Sequence, residues 1–186
     1  MILFVNACVR PQSRTFRLAG ALLSALGEPF EEINLSHVSF PVADQSFLTL
    51  RDGLIADSSF DHPLFDMARQ FARADQIVIA APYWDLSFPA SLKQYIEQIN
   101  VLGITFKYTP QGFPQGLCRA RRLFYVSTAG GCFVPEEFGF GYLRSLAESF
   151  YGIPDVRLIQ ATGLDIDGAD PEALLQMAIS GISVEV

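Results

Sequence analysis

Apolar and polar positions fall into alternating blocks along this chain, and the blocks change period from one to the next. Residues 2–7 form a short apolar run, which predicts a strand buried on both faces, as in a parallel sheet. A polar loop over 10–15 follows. Leu18, Ala19, Leu22, Leu23 and Leu26 then recur at helical spacing until Gly27 and Pro29 stop the helix. Residues 30–35 read as a second, more polar strand. Residues 36–60 show no clean period and are rich in Ser, Asp, Gly and Pro, so they predict a long loop with room for a short helix. Leu64, Met67, Ala68, Phe71 and Ala72 mark the next helix, and 76–81 the third strand. A helix over 88–101 carries Leu92, Tyr95, Ile96 and Ile99 on one face, with Pro89 near its start, where proline is tolerated.

Residues 104–109 alternate with period two, Pro110-Gln111-Gly112 has turn chemistry, and 116–118 return. This predicts a hairpin excursion at about 104–118, outside the main sheet. A fourth strand over 122–127 and a fifth over 156–162 enclose a helix marked by Tyr142, Leu143, Leu146, Ala147 and Phe150. Pro171 opens a last helix. Strands and helices thus alternate five times, which is the pattern of an α/β fold with helices on both faces of a parallel sheet. Five strands suit the order 2-1-3-4-5, and 186 residues suit a single domain over 1–186. No Gly-x-Gly-x-x-Gly follows the first strand, which argues against the dinucleotide-binding variant of this architecture.

Charge narrows the partners. Thirteen basic residues against 20 acidic ones give a net charge of −7, which argues against nucleic acid, because phosphate backbones call for a basic face. The longest uncharged run, 123–135, is too short to span a bilayer and is broken by Gly130 and Gly131, so no membrane segment is expected. No basic segment precedes an apolar stretch at the start, so a secretory signal is not expected and the cytoplasm is the predicted location. Three cysteines with no close pair predict buried or half-buried free thiols, not a disulfide framework or a zinc site. His37 and His62 lack a metal-binding spacing.

Strands one, three and four run the same way, so the loops after them gather at one sheet edge, where ligands of open α/β sheets sit. The first, 8–15, offers the hydroxyls of Ser13 and Thr15, the unpaired amides of a helix start, and Arg10 or Arg14. That set suits a phosphate, and it equally suits an ordinary helix N-cap. The second, 82–88, carries Tyr83 and Trp84, either as a buried plug or as a flat surface for a flat ligand. The third, 127–133, carries Gly130 and Gly131, either as a plain turn or to let backbone approach a ligand. Together they suit one ligand with a phosphate at the first loop and a planar ring at the second. FMN has that shape.

Ala81-Pro82, Leu92-Lys93-Gln94-Tyr95, the string Gly103-Ile104-Thr105-Phe106-Lys107-Tyr108-Thr109, Gly112 and Gly116-Leu117 carry a further signal. In these motifs the chain resembles the flavodoxin-like NAD(P)H dehydrogenase (quinone) family, and within it the FMN-dependent NADH-azoreductases. The resemblance covers most of the chain and is strongest over 76–131. It implies a flavodoxin-like three-layer fold and a homodimer with FMN near the subunit interface. Arg10, Ser13, Arg14 and Thr15 would hold the FMN phosphate. Pro82, Tyr83, Trp84, Asp85 and Leu86 would hold the ring, largely through backbone groups, with Ser127, Thr128, Gly130 and Gly131 closing the other side. Phe106, Tyr108 and Phe133 would shape the slot for a planar acceptor, or, for the first two, pack the hairpin and the dimer.

The implied activity is two-electron, ping-pong transfer from NADH or NADPH through flavin N5 to a quinone, azo or nitro compound, with no catalytic side chain and no metal. The alternative is a non-enzymatic electron carrier of the flavodoxin type. The chain departs from azoreductases in carrying Asp85 where they usually have Asn, and in a shorter 8–15 loop.

Overall fold

The computed structural model describes residues 1–184. Five strands, β1 (Ile2–Asn6), β2 (Phe30–Asn34), β3 (Gln76–Ala80), β6 (Arg122–Thr128) and β7 (Asp155–Ala161), form one parallel sheet in the order β2-β1-β3-β6-β7. That is the predicted 2-1-3-4-5 arrangement. The register is regular: Val5 lies opposite Ile33 on one side and Ile79 on the other, and Ile79 opposite Tyr125.

Side chains alternate across each strand, so every apolar run divides between two cores. Leu3, Val5, Ile77, Ile79, Leu123 and Tyr125 pack on one face, with Phe71 of α3 (Asp66–Arg73), Leu92, Tyr95 and Ile96 of α4 (Ala90–Ile99) and Leu143 of α5 (Phe140–Leu146). Ile2, Phe4, Val78, Ala80, Phe124 and Val126 pack on the other, with Leu18 and Leu22 of α1 (Arg14–Leu26) and Leu175 of α6 (Pro171–Ser180). All five β1 side chains are buried, which is why that run shows no polar alternation. Each fully buried Leu, Ile or Phe contributes about 1.5–3 kcal/mol.

Residues 36–60 differ from the expected loop. They contain a twelve-residue helix, α2 (Gln45–Ala56), capped by Asp44, whose carboxylate accepts from the Phe47 amide at 2.9 Å. No residue of α2 is fully buried. Only Leu54 and Ile55 lean on a small cluster around Phe65 and Val101. A helix that buries no continuous stripe leaves no 3.6-residue period to read.

The hairpin exists but is shorter than its alternating sequence: β4 (Phe106–Tyr108) pairs antiparallel with β5 (Pro114–Gly116), apart from the main sheet. It packs on the turn Ala147–Tyr151 that prolongs α5 with π-type bonding. A Cβ on Gly116 would come within 2.1 Å of the Tyr151 carbonyl carbon, so only glycine permits that approach. The α4 helix starts at Ala90, two residues later than its pattern, with Pro89 as its N-cap.

The thiol expectation holds in part. Cys8 is buried and Cys118 half-buried, but Cys132 is exposed, because it follows the glycine pair that carries the chain out of the sheet. Among the described residues no helix is long and apolar enough to cross a membrane.

Candidate functional site

The sheet ladder runs on past the strand ends, and this fixes the loops at the carboxyl edge. Ala7 N–H donates to Ala80 O (2.8 Å), Ala81 N–H to Val126 O (3.0 Å), Tyr83 N–H to Thr128 O (3.0 Å) and Ala129 N–H to Ala161 O (2.9 Å). Between these loops lies a cleft of about 180 Å³. Val9, Arg10, Gln12, Ser13, Arg14 and Thr15 line it from the β1–α1 connection, and Pro82, Tyr83 and Trp84 from the β3–α4 connection. Thr128, Ala129 and Gly130 line it from the end of β6, and Asp165 from the loop after β7.

One end of the cleft is a helix start. Ser13 caps α1, its Oγ accepting from Phe16 N–H at 3.2 Å, so the plain capping role is real. The cap uses the oxygen's acceptor capacity, so its O–H can still donate, toward Cys8 or into the cleft. The amides of Arg14 and Thr15 lie too early in the helix to have an intrahelical acceptor and stand at the positive end of the helix dipole. Thr15 Oγ1 and Thr128 Oγ1 share a buried hydrogen bond of 2.6 Å that ties the first turn of α1 to the end of β6. Arg14 is already engaged: Nη1 donates to Leu164 O (3.0 Å) and Nη2 to Asp165 Oδ1 (2.7 Å). Asp165 is in turn fixed by its own amide on Gly130 O (2.9 Å). A Cβ on Gly130 would lie 2.3 Å from Asp165 Oδ2, so glycine is what admits the carboxylate here.

The other end is aromatic. Tyr83 and Trp84 enter a tight two-residue turn in which Trp84 and Ser87 exchange both backbone hydrogen bonds, at 3.0 and 2.8 Å. Asp85 (φ 50°) and Leu86 (φ 68°) between them are both left-handed. That is the type I′ geometry, normally made by Asn-Gly. Ser87 Oγ donates to Phe138 O at 2.8 Å and fastens the loop to the segment before α5. Trp84 is 40% exposed, so its ring presents a flat face at the mouth instead of forming a buried plug. Burial, reinforced by the negative charge of Glu137, pushes the Tyr83 phenol above its ordinary pKa.

Of the residues singled out from the sequence, Arg10, Ser13, Arg14, Thr15, Pro82, Tyr83, Trp84, Thr128 and Gly130 therefore meet in one cleft. Asp85 and Leu86 form the turn tip and do not line it; nor does Gly131. Ser127 directs its side chain to the opposite sheet face, toward Tyr125, as strand alternation requires next to Thr128. Phe106 is buried under the hairpin against Tyr108 and Phe150, while Tyr108 and Phe133 are exposed at 53% and 77%; none of the three lines the cleft. Asp165 was not anticipated. The signal for it was available, since the loop after the fifth parallel strand must reach the same edge.

A larger hollow, about 840 Å³, opens at the opposite edge among Arg119, Arg122, Asp75 and Asp155, but those charges already pair, Arg119 with Asp75 at 2.8 Å and Arg122 with Asp155 at 2.7 Å. Among the described residues no cluster of three or more His, Cys, Asp or Glu side chains could hold a metal ion. Burial raises the Cys8 thiol to about 11, so it is protonated and a poor nucleophile at neutral pH.

A family model described as the flavodoxin-like fold matches residues 1–183. The FMN-dependent NADH:quinone oxidoreductase of Clostridium beijerinckii is 35% identical over 187 residues, covering 96% of this chain and 93% of that protein. The FMN-dependent NADH:quinone oxidoreductase 2 of Clostridium acetobutylicum is 36% identical over 193 residues, covering 96% and 94%. Among solved structures, an FMN-dependent NADH-azoreductase from Bacillus anthracis, in complex with FMN, superimposes with a TM-score of 0.80 at 25% identity, covering 96% of this chain and 93% of that one.

Proposed function

The chain belongs to the flavodoxin-like fold family, and from that premise we propose that it is an FMN-dependent NADH:quinone oxidoreductase, with azo compounds as further acceptors. The observation that carries this reading is the meeting, in one cleft, of a helix start with free donors, a glycine-bearing strand end and a partly exposed indole.

The residues fit FMN on their own chemistry. The Arg14 and Thr15 amides, the Ser13 hydroxyl and the Arg10 guanidinium form a donor-rich, electropositive seat for one phosphate. Arg14 is held by Asp165 and adds its remaining N–H groups from a fixed direction. Tyr83 and Trp84 give the ring its wall, with the backbone of Asp85 and Leu86 at its rim. Thr128 and Gly130 close the side opposite, with Gly131 just beyond the rim. Ser127 contributes through its backbone, since its side chain faces away from the cleft.

When bound, FMN supplies the two-electron chemistry, accepting hydride equivalents from NADH and passing them to the acceptor. The chain's own residues bind, orient and exclude water. No side chain in the cleft is placed as a general acid or base, so protons are taken from and returned to solvent. Donor and acceptor use one opening in turn, which calls for ping-pong kinetics. NADH, the donor named for the relatives, is the expected one. The chain is read as a cytoplasmic homodimer in which the exposed Tyr108 and Phe133 meet the partner subunit or the acceptor.

Anaerobic titration tests the proposal. Purified chain should bind FMN stoichiometrically, lose the flavin absorbance on addition of NADH and regain it on addition of a quinone. Absence of flavin binding overturns the reading. Binding without bleaching by NADH supports the electron-carrier alternative instead.

A further inference from the structure

Behind the aromatic wall of the cleft, on the opposite face of the sheet, is a second, narrow pocket. It leaves about 10 Å³ for the centre of a water molecule. Tyr83, Tyr125 and Ser127 line it, with Phe140 and Leu158 from the apolar side, Gln160 from β7, and the segment Val134, Pro135 and Glu136 over its mouth. The hydroxyls of Tyr83, Tyr125 and Ser127 are all buried, and none has a hydrogen-bond partner among the described residues. The fourth such oxygen, Tyr95 Oη, does not line this pocket.

Three orphaned hydroxyls around one small void are unlike a dry apolar cavity. Buried polar groups are nearly always satisfied, and leaving them unmade is among the costlier things a fold can do. A void of this size is at the lower limit for one water, and a buried water typically makes about three hydrogen bonds. Each hydroxyl can donate or accept, so one water satisfies all three without conflict. The space left suits a water-sized molecule, and Glu136 is the one charged group in the lining, too little for a cation that needs about six or more oxygen ligands.

We propose that this pocket holds one ordered water, shared by Tyr83 Oη, Tyr125 Oη and Ser127 Oγ, and that the water positions the Tyr83 wall of the cleft from behind. Tyr125 and Ser127 are then positioning residues: their side chains do not line the cleft and act through Tyr83. The protonation states agree. Burial raises the Tyr125 phenol to about 12, opposed by the nearby Ser127 hydroxyl, and Tyr83 is raised as well, so both phenols keep their protons at neutral pH. The Ser127 hydroxyl lies near enough to Tyr125 to hold its phenol down by hydrogen bonding, yet the contact falls short of hydrogen-bond geometry, so it leaves both oxygens, like that of Tyr83, without a full partner. Ser127 thereby acquires a role that its place beside Thr128 did not suggest.

The water itself does not depend on the proposed function; its effect on FMN does. The test is a high-resolution crystal structure together with Tyr83→Phe, Ser127→Ala and the double variant, followed by thermal denaturation without flavin and by FMN titration. We expect a water peak within hydrogen-bond distance of all three oxygens. Each single variant should raise the FMN dissociation constant by about 3- to 10-fold, the range expected for one orphaned hydrogen bond. The double variant should depart from the product of the two single effects in both melting temperature and affinity, because the two hydroxyls are coupled through the water they share. An empty pocket in the density, or single effects that multiply in the double variant, overturns the proposal. Coupling in the flavin-free melts with no FMN binding at all would uphold the water and refute only the proposed function.

Discussion

Replacing Gly116 by Ala tests how the hairpin is held. The new Cβ would lie 2.1 Å from the Tyr151 carbonyl carbon, 2.2 Å from Gly152 N and 2.3 Å from Tyr151 O. All three are backbone atoms of the π-type turn that ends α5, so no side chain can rotate out of the way. The hairpin must lift, stretching the bond from Cys118 N–H to Tyr151 O, now 3.3 Å, and loosening Phe106 from Phe150, whose rings are 5.1 Å apart. Overpacking of this kind costs about 1–3 kcal/mol. In a chain of this size that lowers the melting temperature by about 2–12 °C. Gly130→Ala is the control. Its nearest obstacle, at 2.3 Å, is Asp165 Oδ2, the far end of a side chain that is 64% exposed and can turn away by giving up its bond to Arg14. That movement gives up an exposed ion pair, about 0.2–1 kcal/mol. Thermal denaturation followed by circular dichroism should therefore separate the two variants clearly. Equal shifts, or an unshifted Gly116→Ala melt, would refute the distinction between backbone and side-chain obstacles drawn here.

Thr15→Val should cost about 1–3 kcal/mol by stranding the buried Thr128 hydroxyl, and adding Thr128→Val should recover most of it; melts of the two singles and the double decide this. Arg10→Ala should weaken FMN about 10-fold while leaving riboflavin, which lacks the phosphate, nearly unchanged, as read by quenching of flavin fluorescence. Asp155 is held below the ordinary carboxylate range by hydrogen bonds from Arg157 and then Arg122. A lowered folded-state pKa stabilises the fold above the unfolded-state value and is lost as pH falls through the folded one. Denaturation midpoints should therefore drop faster with acidification in the wild-type chain than in Asp155→Asn.

Much of the fold was legible because the central strands are covered on both faces. The runs at 2–6, 76–80 and 122–128 announce themselves by apolar interiors with polar residues confined to their ends, and their alternation with helices dictates a parallel sheet. The site was legible at the level of its edge, since three parallel strands must deliver their loops to one place. Two kinds of information were not. The α2 helix has no apolar stripe, so only the Asp44 cap marked it. The topology brings the loop after β7 to the same edge, but which of its residues enters the cleft, here Asp165, depends on how that loop folds back, and composition is silent on it. For Phe106 the motif leaves two roles open, slot lining or hairpin packing, and its burial against Phe150 places it in the hairpin core.

The Asp85–Leu86 tip was set in a mirror-image bend by the two bonds between Trp84 and Ser87. Side chains resist that bend by roughly 1–2 kcal/mol per residue, a penalty incurred when the polypeptide folds and not when a guest arrives. An incoming ring therefore encounters a rim already in its final contour, and its capture rate should owe more to diffusion than to any rearrangement of the rim.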